Sequence, residues 1–136
     1  MAYAVTDRLI IANTLYKEAR YEEAIFELEQ LVSNHPKNAD SWALLGAAHR
    51  DNWNKSEALR ALKKALSVDK KHVTARQYLG ELYIMLGSMR KAKKELKKLK
   101  KICGDCDQTF QLALMIQNAE SGFCRFLPSN KAQTIE

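Results

Sequence analysis

The sequence lacks the patterns that define several large classes of protein. No segment alternates apolar and polar residues with a period of two, so we expect no β-sheet. There is no glycine-rich phosphate loop, no His-Glu-x-x-His zinc motif and no nucleophile elbow, so we expect neither enzymatic activity nor a cofactor. The amino terminus has no basic segment followed by a long apolar run, which predicts neither a secretion signal nor a membrane span.

The sequence does contain an internal repeat with a period of 34 residues. At this spacing small residues fall into register, as Ala24, Ala58 and Ala92 do. Within each unit, apolar residues recur at i, i+4 and i+7, for example Ala58, Leu62 and Ala65, which indicates a helix with one buried face. A period of this length is typical of stacked helix pairs, each of which buries its apolar face against its neighbours.

This pattern resembles the tetratricopeptide repeat (TPR). The middle unit matches best, with Trp42, Leu45, Gly46, Ala58, Leu62 and Ala65 at the expected positions. The resemblance implies an all-α solenoid, a right-handed superhelix of antiparallel helix pairs. We expect one domain over residues 1–120, with units at 5–38, 39–72 and 73–106, a capping helix at 107–120 and a tail at 121–136. Gly46 and Gly80 are expected where the two helices of one unit cross closely.

The resemblance also implies a function and a surface. In TPR arrays the first helices of the units line a concave groove that binds an extended or helical peptide of a partner, so we expect a non-enzymatic scaffold or adaptor. The positions that match the groove are Leu9, Asn13, Tyr16, Lys17, Asp40, Ala43, Ala47, Arg50, Asp51, Thr74, Gln77, Glu81, Ile84 and Met85.

One familiar version of the groove is not expected here. TPR domains that clamp the carboxyl terminus of chaperones use two lysines, two asparagines and an arginine. In this chain the matching positions are Leu9, Asn13, Leu44, Thr74 and Tyr78, of which only Asn13 is retained. The resemblance therefore argues against a carboxylate clamp.

Basic residues are concentrated in one segment. Residues 88–101 contain eight Lys or Arg and one acid, Glu95, for a net charge of +7, whereas the whole chain carries +6. Two interpretations remain open: the solvated face of an amphipathic helix, or an electrostatic contact with nucleic acid, an anionic surface or an acidic protein. The segment has no interleaved aromatic residues, which makes nucleic acid the weaker candidate.

Cys103 and Cys106 form a Cys-x-x-Cys motif after the third unit. This spacing occurs in redox pairs, half zinc sites and short disulfides, but no second such motif is present, so we expect no metal site. A structural role remains, as reduced thiols or as a disulfide. The pair also resembles cysteines that follow the last repeat of some bacterial TPR proteins, exported ones among them. We expect a cytoplasmic protein, or a periplasmic or exported one if a leader precedes this chain.

Two further features carry alternatives. Trp53 replaces the small residue usual at the turn between the helices of a unit, and it either packs under the following unit or stands exposed as an interface anchor. Phe123, Phe126 and Leu127 in the tail support a second hypothesis. In that hypothesis the module self-associates, with the tail entering the groove of another copy or of its own chain.

Overall fold

A computed structural model describes residues 4–122, which form seven α-helices and no strand. The helices are α1 (Val5–Lys17), α2 (Tyr21–Asn34), α3 (Ala39–Asp51), α4 (Lys55–Val68), α5 (Val73–Met85), α6 (Met89–Cys103) and α7 (Asp107–Glu120). The prediction of an all-α solenoid is confirmed. The expectations placed on Phe123, Phe126 and Leu127 lie outside the described residues.

Each first helix begins at the same point of the 34-residue repeat. The residues that precede α1, α3, α5 and α7 are Ala4, Asn38, His72 and Cys106. Asn38 caps α3 because its Oδ1 accepts a hydrogen bond from the Ser41 amide at 2.9 Å. His72 caps α5 in the same way, with its Nδ1 accepting from the Ala75 amide at 3.1 Å. The repeat therefore fixes where the helices of the two later units start.

The turn inside each unit recurs as well, because the backbone reverses through a residue with positive φ. These residues are Ala19, Trp53 and Gly87, with φ values of 61°, 66° and 79°. A left-handed conformation is easy for glycine, but it costs a residue with a side chain about 1 kcal/mol. Trp53 therefore holds a position whose backbone favours glycine.

The helices form two layers. The first helices α1, α3, α5 and α7 contact one another in that order, and each second helix packs between the first helix of its own unit and that of the next. The second helices supply the predicted apolar stripes: Ala24, Leu28, Leu31, Ala58, Leu62, Ala65, Ala92 and Leu99 are all buried. The core is thus continuous along the array, and the inner layer of first helices is left to form a surface.

The two helical glycines have different neighbours. A Cβ on Gly46 would lie 2.5 Å from Leu62 Cγ on α4, so Gly46 does allow close packing of the two helices of its unit. A Cβ on Gly80 would lie 2.5 Å from Leu112 Cδ2 on α7. The prediction for Gly80 was therefore wrong in its partner, because the fully buried Leu112 of α7 fills the space beside it.

Candidate ligand-binding groove

A polar network joins the first helices of the three units. Its centre is Arg50 on α3, which is only 9% exposed. Arg50 Nη1 donates to Glu81 Oε1 on α5 at 2.7 Å, and Arg50 Nε donates to Asp51 Oδ1 at 2.9 Å. Tyr16 on α1 reaches the same group, because its hydroxyl donates to Asp51 Oδ2 at 2.5 Å and accepts from Arg50 Nη2 at 3.3 Å. Gln77 Nε2 donates to Glu81 Oε2 at 2.8 Å and completes the network.

The network raises the pKa values of two of its members, Tyr16 and Arg50. Burial, followed by the hydrogen bond to Asp51, raises the pKa of the Tyr16 hydroxyl well above its ordinary value. Burial alone would lower the pKa of Arg50, but the hydrogen bond to Asp51 and the charges of Asp51 and Glu81 outweigh it and raise that pKa. Arg50 also lies with its Cζ 5.0 Å from the centre of the Tyr78 ring. Its positive charge is therefore neutralised within the protein.

A cleft of about 340 Å³ opens beside this network, toward the amino-terminal halves of the same helices. Its apolar wall consists of Leu9, Ile10, Ala43, Leu44 and Tyr78, and its polar wall of Thr6, Asn13, Asp40, His72 and Thr74. None of these ten lining residues is a lysine or an arginine. Ile10 is 59% exposed, so the cleft presents apolar surface that the described chain does not cover.

One end of the cleft is held by a contact between two units. His72 Nδ1 accepts from the Ala75 amide, and His72 Nε2 lies 2.6 Å from Asp40 Oδ1 on α3. Because Nδ1 acts as an acceptor, the hydrogen on Nε2 is the one that is donated to Asp40. The side chain of Asp40 is still 68% exposed, so its carboxylate faces both His72 and the solvent at the rim of the cleft.

The groove residues expected from the sequence separate into groups. Leu9, Asn13, Asp40, Ala43 and Thr74 line the cleft. Tyr16, Arg50, Asp51, Gln77 and Glu81 form the network. In the first group Ala43 is buried, and the other four residues offer surface to a ligand. Most hydrogen-bonding capacity of the second group is used within the chain.

Four expected groove residues lie elsewhere, and one of them, Met85, is partly buried at the end of α5, outside the cleft and the network. Ala47 has no exposed surface, so the prediction that it faces a partner was wrong, because a single methyl group does not extend beyond the larger side chains around it. Ile84 packs against the apolar cluster that includes Leu79 and Leu82 instead of lining the cleft. Lys17 is exposed at the end of α1, outside both the cleft and the network.

The structure adds cleft residues that the groove positions did not include. Leu44 and Tyr78 occupy positions of the carboxylate clamp, so the resemblance had pointed to them, although only as replacements that argued against that clamp. Ile10 follows Leu9 on the same helix. No pattern in the sequence indicated that its side chain would be exposed. His72 caps a helix, and its role at the cleft depends on Asp40, which is 32 residues away in the chain.

Comparison with known proteins agrees with this architecture. The family model Tetratricopeptide Repeats-Sensor (TPR-S) matches residues 8–86, which is more than half of the chain. The chain belongs to the TPR-S family. The matched region runs from α1 to the end of α5. It contains nine of the ten residues that line the cleft, and Thr6 lies before it.

A curated relative of this TPR-S chain is the peroxisomal targeting signal 1 receptor of Dictyostelium discoideum. It is 37% identical over 64 residues, which are 47% of this chain and 10% of that receptor. The TPR-S chain thus spans about a tenth of the length of this relative. The identity covers a piece of the receptor and does not extend to the rest of it.

Solved structures share the fold. The second TPR domain of human RPAP3, in complex with an HSP70 peptide, has a TM-score of 0.73 at 20% identity and covers 84% of this chain and 98% of that domain. The Yersinia enterocolitica type III secretion chaperone SycD, in complex with a peptide of the translocator YopD, has a TM-score of 0.74 at 14% identity, with 88% of this chain and 91% of SycD covered. At these identities the likeness shows the TPR fold alone.

Trp53 lies outside the groove of the TPR-S chain. It is 75% exposed, and Lys55 Nζ lies 5.8 Å from the centre of its ring. The interpretation that Trp53 packs under the following unit was therefore wrong, because the left-handed turn directs the indole into the solvent. Its use as an interface anchor stays a prediction.

The lysine-rich segment forms α6, and all eight of its basic side chains are exposed. Its one acid, Glu95, is buried and accepts a hydrogen bond from Arg76 Nη1 at 2.7 Å. Lys93 pairs with Glu120 on α7, and Lys98 lies 3.6 Å from Glu95. The outer face of α6 therefore carries positive charge along its whole length, with no exposed acid on the same helix.

The turn between α6 and α7 is closed by a disulfide between Cys103 and Cys106. The hydroxyl of the buried Thr109 lies 3.5 Å from both sulfurs. In this form the two cysteines connect the last repeat to its covering helix. Among residues 4–122, no cluster of three metal-ligating side chains occurs, and no helix has the length and apolar character that a membrane crossing requires.

Proposed function

We propose that this chain is a non-enzymatic interaction module that holds a peptide or helix of a partner protein against the inner faces of α1, α3 and α5. The observation that carries the proposal is the cleft of about 340 Å³, with an apolar wall built from three successive units. Ligand sites are typically concave and mostly apolar, with a few polar groups that set orientation, and this cleft has that composition.

The network beside the cleft supports the same proposal. Tyr16, Arg50 and Glu81 tie α1, α3 and α5 together through side-chain hydrogen bonds, so the spacing of the three helices is set before a ligand arrives. A preformed surface loses less conformational entropy on binding than a flexible one. The groove is therefore suited to a partner that supplies an ordered or orderable segment.

The structural neighbours support a peptide of another protein as the class of ligand. Two structural neighbours are complexes with peptides: RPAP3 with an HSP70 peptide and SycD with a YopD peptide. We transfer the class of ligand, a peptide, and not its identity. A cytoplasmic location, or a periplasmic or exported one if a leader precedes this chain, and the absence of catalysis belong to the same proposal.

The test compares partners recovered on the immobilised 136-residue chain with those recovered on two matched variants. Ile10→Glu places a charge in the cleft at an exposed position, and Phe26→Glu does the same at an exposed position on α2, outside the cleft. Proteins retained by Phe26→Glu and lost on Ile10→Glu are the expected result. Identical protein lists for wild type and Ile10→Glu would show that the cleft is the wrong surface.

A second candidate function rests on α6, whose eight exposed basic residues face the solvent without an exposed acid on that helix. Such a surface supports weak, salt-dependent binding to a polyanion. Reversing the charges at Lys94, Lys97 and Lys101 should abolish this binding while leaving the groove intact. Binding to heparin that does not weaken between low and physiological salt would count against it.

A further inference from the structure

The chemistry of the cleft restricts which part of a partner can enter it, and this inference rests on the proposed function. Leu9, Ile10, Leu44 and Tyr78 form an apolar wall, and they belong to three different first helices. An apolar side chain that fills the cleft would remove this wall from water, which is favourable in proportion to the area covered. A carboxylate in the same place would lose its hydration without gaining a cation.

The one formally charged residue among those that line the cleft is an acid. Asp40 stands at its rim with a largely exposed carboxylate, and no lysine or arginine lines the cleft. In the adjoining network, Arg50 is matched by both Asp51 and Glu81, so that half of the groove has an excess of one negative charge. Among the cleft and network residues, acids therefore outnumber the one cation, Arg50, and Lys37 lies outside the cleft in the neighbouring pocket that shares Asp40. Opposite charge on a ligand is favoured at such a surface.

Asn13 adds a group that can orient a peptide backbone. Its side-chain amide lines the cleft between Leu9 and Tyr16 on α1 and makes no hydrogen bond to another side chain or backbone group among residues 4–122. An amide offers both a donor and an acceptor, which matches a peptide group. A bound peptide can therefore be held by its backbone while a side chain enters the apolar part.

We propose that the cleft selects an internal peptide segment in which a large apolar side chain stands next to a lysine or an arginine. The apolar side chain packs between α1, α3 and α5, and the neighbouring cation lies at the Asp40 carboxylate on the rim. A free carboxyl terminus is disfavoured, because the chain offers it no unpaired cation among the cleft residues.

A random-peptide library displayed on phage as an internal loop tests the proposal, because no peptide in it has a free end. The library is selected in parallel on the full chain, on Ile10→Glu and on the control Phe26→Glu. We expect the full chain and the control to enrich Leu, Ile, Met or Phe beside Lys or Arg, and Ile10→Glu to lose this enrichment.

The other outcomes distinguish the proposed class of ligand from the proposed peptide-binding function. If the enriched sequences are acidic, or lack a large apolar residue, and yet depend on Ile10, the ligand class is wrong and the peptide-binding function stands. If nothing is enriched on the full chain beyond what Ile10→Glu retains, both the ligand class and the proposed function fail.

The role of Asp40 is measured with one selected peptide by fluorescence anisotropy. Asp40→Asn should weaken binding about two- to fivefold, the usual worth of one partly exposed ion pair. The control Asp105→Asn, at an exposed turn outside the cleft, should have no effect. When the cation of the peptide is replaced by Gln, the effect of Asp40→Asn should vanish. An effect that persists with the Gln peptide would overturn the pairing with Asp40.

Discussion

The two halves of the groove are built from the same three helices and have opposite chemistry. Toward the carboxyl ends of α1 and α3, side chains such as Arg50 and Asp51 are charged, largely buried and bonded to one another. Toward the amino ends, side chains such as Ile10 and Leu44 are apolar and at least partly exposed. Buried charges in proteins are paired with opposite charges, whereas an exposed apolar patch marks a binding site. The polar half therefore holds the array in register, and the apolar half is left for a ligand.

The largest effect is expected from removing the centre of the polar half. Arg50→Ala leaves Glu81 and Asp51 without their cation, and breaking a buried pair in this way costs about 3 kcal/mol or more. Urea unfolding measures the loss. Arg60→Ala is the matched control: its pair with Glu57 is exposed, and its removal should change the free energy of unfolding by less than about 1 kcal/mol. Equal losses for the two variants would remove the distinction between buried network and surface pair.

A smaller effect is expected from Tyr16→Phe, which removes the hydroxyl bonded to Asp51 and costs about 1 kcal/mol at neutral pH. The pKa of Tyr16 is raised in the folded chain above its ordinary value of 10.0, first by burial and then by the bond to Asp51. The folded state thus favours the protonated hydroxyl, and this stabilisation is fully present below pH 10.0 and declines as the pH rises from 10.0 toward the raised pKa of the folded chain. The difference in unfolding free energy between wild type and Tyr16→Phe should shrink above that pH, and a constant difference would contradict the assignment.

The smallest effect on stability is expected in the apolar half. Ile10→Glu changes a side chain that is 59% exposed, so the free energy of unfolding should move by no more than about 0.5 kcal/mol. Binding of a selected peptide should nevertheless fall at least about tenfold, since a charge then faces the apolar wall. A large loss of stability in this variant would mean that Ile10 belongs to the core and not to a free surface.

The period of the sequence predicted the helices, and the resemblance to TPR arrays indicated which side chains face the groove. That resemblance named Leu9, Asn13 and Asp40, which line the cleft, and their role in binding stays a prediction. The resemblance could not distinguish these cleft residues from the buried Arg50, because Arg50 pairs with Glu81, which is 31 positions away on another helix. Such pairing depends on which charges meet after folding.

The same limit applies to close packing. Small residues at Gly46 and Gly80 could be predicted from the repeat, and both positions do receive a leucine. The identity of that leucine could not, because Leu112 enters from α7, a helix that lies beyond the three units. Variants of Arg50 are unsuited to mapping a ligand, because losing the buried ion pair with Glu81 would destabilise the fold and mask any effect on binding.

The claim that the apolar half alone recognises the ligand is tested most directly by titrating the ¹⁵N-labelled full chain with a selected peptide and following the backbone amide shifts. We predict that the largest shifts fall on Leu9, Ala43 and Thr74 around the cleft, and that amides near Asp51 and Glu81 change little. Shifts concentrated at Asp51 and Glu81, with the cleft unchanged, would contradict it.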